Sequence, residues 1–329
     1  MTPFAGNAAA IDAFLAALAG GQLHHAWLIA GAEGVGKARF ARAAAARLLA
    51  EAAAPGTLAP DALDLPEGHR TSKLIAAGAH PDYRVMQRLP KDPEKPGGEI
   101  ARSITIKQVR DLQPMLATKP ALAPARAIVI DAIDDLERPG ASNALLKNLE
   151  EPPAGTIFLL VSHAPGRLLP TIRSRCRLLR FDPLSDDAVG GVLRAELPET
   201  SASEIAALVR AGAGSPGRAL RFAGLDLGGL EDELAAIARD GDPGNARRGR
   251  LAKALALKSA QPRYQAFLER VPAFIAEQAQ RRQGRALREA LDAYDAAADL
   301  ARVTLTLSMD AATTAFELGG LVARLAPRR

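Results

Sequence analysis

The run Gly31-Ala32-Glu33-Gly34-Val35-Gly36-Lys37 restricts what this chain can fold into more than any other, because it sits between the apolar stretch Trp27-Leu28-Ile29 and a helix-forming stretch from Lys37 to Ala53. A glycine-rich loop that leaves a strand and opens a helix turns successive backbone N–H groups inward onto a polyanion, while the lysine and the helix N-terminus add positive charge. Gly31, Gly34, Val35, Gly36 and Lys37 are therefore candidate nucleotide-binding residues. Position 38 is Ala, where a hydrolytic phosphate loop places a Ser or Thr hydroxyl on Mg²⁺. Another apolar run, Ala127-Ile128-Val129-Ile130, ends in Asp131, a strand-end carboxylate able to hold a metal's water shell. The next residue is Ala132 and not a water-activating Glu, so two supports for hydrolysis are missing together. Asp134 and Asp135 read as helix-capping or solvated acids, because a base displaced by a few residues misses the reacting atoms.

The first half of the chain alternates β-branched apolar runs with helical patterns, the mark of parallel βαβ units. Strands are expected at 27–29, 83–86, 127–130, 157–161 and 177–181, and helices at 37–53, 106–117, 139–150 and 167–173. Two polar, Pro- and Gly-rich excursions, 54–70 and 89–99, interrupt the pattern. Beyond Pro183 only helical patterns remain: a small three-helix unit at 186–196, 201–211 and 218–222, then long Ala/Leu/Arg-rich helices with breaks near Gly241-Asp242-Pro243-Gly244 and Gln261-Pro262. The expected class is an α/β parallel-sheet domain over 1–182, a three-helix domain over 183–226 and an all-α domain over 227–329.

Composition closes off several functions. With 48% hydrophobic residues in 329, the chain has the apolar mass for two or three packed domains. A single cysteine, Cys176, excludes an internal disulfide and any multi-thiolate metal site. A net charge of +5 permits a polyanionic partner, and 4% aromatic residues argue against a base-stacking sheet. There is no uninterrupted apolar run of membrane-spanning length and no leader pattern, so the expectation is a cytoplasmic protein without a membrane partner.

Several further motifs follow the phosphate loop in order: Ala79-His80-Pro81-Asp82-Tyr83, the run from Asn143 to Pro153 with its double-proline stop, Ser174-Arg175-Cys176 and Gly214-Ser215-Pro216-Gly217. With His25-Ala26-Trp27 ahead of the loop, this series resembles the clamp-loader branch of the AAA+ ATPases, and within that branch its non-hydrolysing members. The resemblance covers the first two expected domains, while the last hundred residues match in helical character and length alone. It implies an AAA+ P-loop domain, a helical lid and a helical collar that joins a pentameric ring. It implies that Arg175 is an arginine finger acting in trans on ATP held by a neighbouring motor subunit, since its planar fork of donors suits a γ-phosphate. The implied partners are motor subunits of the gamma/tau type and a delta subunit, with a sliding clamp and primed DNA as substrates of the assembly.

Departures sharpen that reading. Active motors of the branch have Ser or Thr at position 38, Glu at 132 and a nucleotide-sensing Arg near 217; this chain has Ala38, Ala132 and Gly217, with Arg218 one place off. No cofactor is expected to be required, and the loop is left with weak ATP or ADP binding at most. Many relatives insert a four-cysteine zinc module before His-Pro-Asp, but 67–73 contains no cysteine, so zinc is not expected. The rival readings are an active motor ATPase of the same branch and an unrelated P-loop kinase. His24-His25 reads as a structural pair near the adenine pocket. Arg173 reads as a surface arginine. The basic clusters Arg247-Arg248-Gly249-Arg250 and Arg281-Arg282-Gln283-Gly284-Arg285 read as solvated helix ends, the alternative being surfaces that help pack or steer DNA, primase or single-strand-binding partners.

Overall fold

The computed structural model describes residues 4–92, 94–95, 98–307 and 309–327. Among them the chain separates into two compact units, one ending at Ala188 and the other beginning at Val189.

In the first unit the elements run α1 (Ala8–Ala19), β1 (Ala26–Gly31), α2 (Lys37–Ala53), α3 (Arg70–Ala76), β2 (Tyr83–Gln87), α4 (Ile106–Arg110), α5 (Gln113–Leu116), β3 (Arg126–Asp131), α6 (Gly140–Glu150), β4 (Thr156–Ser162), α7 (Pro170–Arg173) and β5 (Arg177–Phe181). The strands form one parallel sheet in the order β2-β3-β4-β1-β5, with Leu28 of β1 level with Leu160 of β4 and Leu178 of β5. Successive side chains alternate between faces. Trp27, Ile29, Val129, Leu159 and Phe181 therefore meet Phe14 of α1 and Phe40 and Leu48 of α2 on one face. Leu28, Ile128, Ile130, Phe158 and Leu160 meet Val109, Leu145 and Leu149 on the other. Coverage on both faces is why the inner strands β1, β3 and β4 read as apolar runs, whereas the edge strands β2 and β5 carry arginines and are partly exposed.

The structure refines several expectations. The helix expected at 106–117 is two short helices, because Pro114 has no N–H for the carbonyl of Arg110 and its ring crowds that carbonyl in a continuous helix. The helix expected at 167–173 is a 3₁₀ turn at Pro165–Arg167 followed by the single-turn α7. The second excursion folds back on itself, with Lys91 N donating to Glu99 O and Ala101 N to Leu89 O, both at 2.8 Å; its residues Pro93, Pro96 and Gly97 lie outside the described residues. The His-Pro-Asp run has a structural task here. The buried Asp82 carboxylate accepts Ala121 N at 2.8 Å and Leu122 N at 2.9 Å and faces the buried Arg126 at 3.7 Å, fixing the loop that leads into β3.

The helical remainder comprises α8 (Asp186–Glu196), α9 (Ala202–Gly212), α10 (Pro216–Arg221), α11 (Leu227–Asp240), α12 (Ala246–Leu255), α13 (Gln261–Ala279), α14 (Gly284–Leu307) and α15 (Ala311–Ala323). The turn expected through Gly217 ends earlier, because Ser215 Oγ accepts Arg218 N at 3.1 Å and Pro216 suits a first helical position. Inside the unit that begins at Val189, the buried Arg270 of α13 is gripped by Glu231 of α11 and by Glu277, whose Oε1 and Oε2 each accept from it at 2.8 Å.

Candidate functional site

The loop 31–37 leaves the C-terminal end of β1, which lies between β4 and β5. Its root must be glycine: a Cβ on Gly31 would stand 2.0 Å from the carbonyl oxygen of Phe181 on β5. Gly36 at φ +98° turns the chain into α2 in a conformation that L side chains rarely adopt. Val35 contributes its backbone to the loop while its side chain is buried in the core with Phe40 and Phe181. Lys37 is folded in as well, with a side chain only 2% exposed. Its Nζ donates to Gly31 O at 2.8 Å and also to Ala32 O. Burial pulls the Lys37 ammonium down to about 8, with Asp134, Glu33 and Asp131 opposing the shift.

Asp131 ends β3, separated from β1 by β4, and its Oδ2 receives Arg42 Nη2 at 3.3 Å; the same nitrogen donates to Gln87 Oε1 at 2.9 Å. Arg42 lies one turn beyond Ala38 on α2. Sequence reasoning missed what Asp134 does. Its carboxylate accepts Ser162 Oγ at 3.0 Å, His163 N at 2.6 Å and Ala164 N at 3.3 Å, tying the end of β3 to the loop that leaves β4. Asp135 instead pairs with Arg88 at 3.0 Å, and partial burial still raises its carboxyl above the ordinary value. Ala132 is buried, so no group at that position reaches the loop.

Arg175 is in a different situation. It follows α7, and its side chain is 34% exposed. One arm, Nη1, donates to Thr171 O at 2.9 Å; the other, Nη2, meets Oε1 of Glu150, the last residue of α6, at 2.7 Å. Cys176 tucks its thiol toward Ile172 O at 3.1 Å, and burial pushes that thiol up to about 12. Arg173 is less bland than its sequence suggests. With Ser174, Arg180 and Leu178 it lines a cavity of about 720 Å³ at the ends of β1 and β5, beside the exposed Leu178 of β5.

The family described as "DNA polymerase III, delta subunit" matches residues 6–185, more than half of the chain and the whole of the sheet with both its loops. The chain belongs to this family, among the clamp-loader-related AAA+ proteins. It is 36% identical over 201 residues to the DNA polymerase III subunit delta' of Pseudomonas aeruginosa, covering 61% of this chain and 56% of that one. It is 34% identical over 216 residues to the subunit delta' of Escherichia coli, covering 64% and 57%. The match thus spans little more than half the length of these curated relatives. Among solved structures, a DNA polymerase III gamma subunit-related protein from Thermotoga maritima aligns over 95% of this chain and 98% of that one, at 16% identity and a TM-score of 0.46.

In this delta-family chain the remaining candidate groups are engaged locally. His69 Nδ1 accepts Thr71 N and His80 Nδ1 accepts Asp82 N, each at 3.2 Å. Among the described residues there is no cluster of three or more His, Cys, Asp or Glu placed to hold a metal, and no helix long and apolar enough to cross a membrane. His24 and His25 stack at 4.3 Å at the N-terminal end of β1, and His25 Nε2 donates to Leu149 O at 3.1 Å. That end lies roughly 20 Å of strand from the loop. Arg218 turns toward Glu269 at 3.3 Å. In the basic clusters, Arg247 and Arg250 pair with Glu233, Arg248 with Asp242 and Arg285 with Glu289, so much of that charge is answered inside the helical unit.

Proposed function

We propose that this chain is a non-hydrolysing, delta'-like subunit of a DNA polymerase III clamp loader that supplies Arg175 in trans to ATP bound by a neighbouring motor subunit. The observation that carries this reading is the contrast between a buried phosphate-loop lysine bonded to its own loop's carbonyls and a partly exposed arginine held by one backbone carbonyl and one half-exposed carboxylate. The loop's surroundings support the absence of hydrolysis. Ala38 offers no hydroxyl and Asp131 is engaged by Arg42, so these residues do not fit a hydrated Mg²⁺ in the manner of a P-loop hydrolase. No base stands at position 132. Weak binding of ADP or ATP is the most that Gly31, Gly34, Gly36 and Lys37 offer here, and no catalytic step runs through this chain's own loop. Arg218, engaged with Glu269, supports the same conclusion for the helical segment.

In the assembly, the region 1–182 presents Arg175, 183–226 acts as the lid, and 227–329 joins the collar. The neighbours are motor subunits of the gamma/tau type and a delta subunit, and the sliding clamp and primed DNA are substrates of the whole ring. Arg175 acts by placing a delocalised charge and two parallel N–H donors where negative charge grows on the transferred phosphoryl oxygens. A steady-state ATPase assay on the isolated chain tests the non-hydrolysing half of this reading. No turnover above background is expected, and turnover that disappears in Lys37→Ala would make the chain an active motor instead.

A further inference from the structure

We infer that Glu150 is a positioning residue for Arg175: its carboxylate stands in for phosphate while the subunit is unengaged and gives the guanidinium up when a neighbour's polyphosphate arrives. This rests on the reading of Arg175 as a finger acting in trans.

Both outer arms of the Arg175 fork are occupied within the chain, Nη1 by Thr171 O at 2.9 Å and Nη2 by Glu150 Oε1 at 2.7 Å. Nη2 is one of the nitrogens that a trans-acting arginine presents to a phosphate, so its use by Glu150 and its use by a ligand exclude each other. The place of Glu150 is itself informative. It ends α6, where the unpaired carbonyls already carry partial negative charge and where an acid is disfavoured; Glu151 follows, and Pro152 and Pro153 prevent the helix from continuing. An acid at that position adds to a small anionic centre, and Arg175 is the cation that answers it. The grip is also exchangeable. The two side chains are 34% and 46% exposed, and ion pairs of that exposure are weak enough to be traded for a multiply charged ligand. Thr171 sits on α7 beside the turn, so the backbone contact keeps the fork aimed while the carboxylate contact is given up. By contrast, Lys37 is buried against two carbonyls and has no comparable exit.

The experiment uses Glu150→Gln, which keeps the shape and removes the charge. In the full chain, arginine side-chain NMR is expected to show slowed guanidinium rotation at Arg175 that is lost in Glu150→Gln and retained in Glu150→Asp. In the complete clamp loader without clamp or DNA, Glu150→Gln is expected to raise ATP turnover about two- to fivefold, the range set by a weak exposed pair, with a lower KM for ATP and the clamp- and DNA-stimulated kcat unchanged. The increase should vanish in the Arg175→Ala background, which a general structural effect of Glu150 would not produce. Unchanged rotation and unchanged turnover in Glu150→Gln overturn the inference, as does an increase that survives Arg175→Ala. If Arg175→Ala leaves turnover unaffected while the rotation of Arg175 still responds to Glu150→Gln, the finger reading has failed and the internal grip has not, so the two failures are distinguishable.

Discussion

The loop 31–37 and the turn 174–176 each offer a cation of a kind that binds phosphate, and the chain surrounds the two in opposite ways. Lys37 is 2% exposed and bonded to carbonyls of its own loop, whereas Arg175 is 34% exposed and held through one backbone carbonyl and one half-exposed acid. The loop's glycines, its contact with β5 and its aromatic underside make it part of the core. The turn is carried on the single-turn α7 beside the exposed Leu178 of β5. A cation can serve a ligand outside its own chain when its internal partners are few and exchangeable. On the proposed function, that condition is what separates the loop from the turn.

The largest expected effect tests how tightly the loop is built into the core. Gly31→Ala places a Cβ 2.0 Å from Phe181 O, between two hydrogen-bonded strands that cannot both give way. A loss of about 3 kcal/mol or more in urea unfolding is expected. Gly166→Ala, in the segment leading to the turn and with nothing within 4 Å of the new Cβ, should stay within about 0.5 kcal/mol of the parent. Equal effects would erase the distinction between a packed loop and an open turn.

Lys37 makes the second test, through pH. Its folded-state value of about 8 lies below the ordinary 10.5, so between those values the unfolded chain holds a proton that the folded chain has released. Stability contributed at this position therefore rises with pH across that window and is flat below it. The unfolding free energy of the parent minus that of Lys37→Met should rise by about 3 kcal/mol from pH 8 to 10.5. A flat difference would mean that Lys37 is solvated, and the loop would then resemble the turn.

Cys176 probes the underside of the turn. Its thiol, raised by burial to about 12 from the ordinary 9, should alkylate on the order of a hundredfold more slowly at pH 8 than a free thiol, despite the adjacent Arg175. Fast alkylation of the folded chain would show that the turn lacks a fixed floor beneath its arginine.

Much of this architecture is legible in the sequence for a physical reason. The inner strands β1, β3 and β4 are buried on both faces, so runs such as Ala127 to Ile130 and Ile157 to Val161 are apolar at every position and stand out. The phosphate loop is legible because its conformation demands particular residues at particular spacings. Helix α1 was not, since Ala8–Ala19 is alanine-rich with little contrast between its faces. Nor was the split at Pro114, because the apolar spacing of Val109, Leu112 and Leu116 continues across it and all three reach the same core. The site was readable as a set of residues and unreadable as a set of partners. Asp134 meets the loop after β4, and Glu150 meets Arg175 25 positions further along; both pairings arise from the sheet order. No local pattern announces them.

The central claim is that the chain acts through Arg175 on a neighbour's ATP and not through Lys37 on its own. The most direct test is the clamp- and DNA-stimulated ATPase of the complete clamp loader, with only this chain varied and assembly confirmed for each variant. An arginine finger is worth on the order of 10³ to 10⁵ in rate at its own site. Because the other ATP sites keep theirs, Arg175→Ala should lower the total several-fold. Arg175→Lys should recover little of the loss, since a compact ammonium lacks the planar fork. Lys37→Ala should leave the rate at the parent's level. A loss in Lys37→Ala with none in Arg175→Ala would contradict the account and return the chemistry to the chain's own loop.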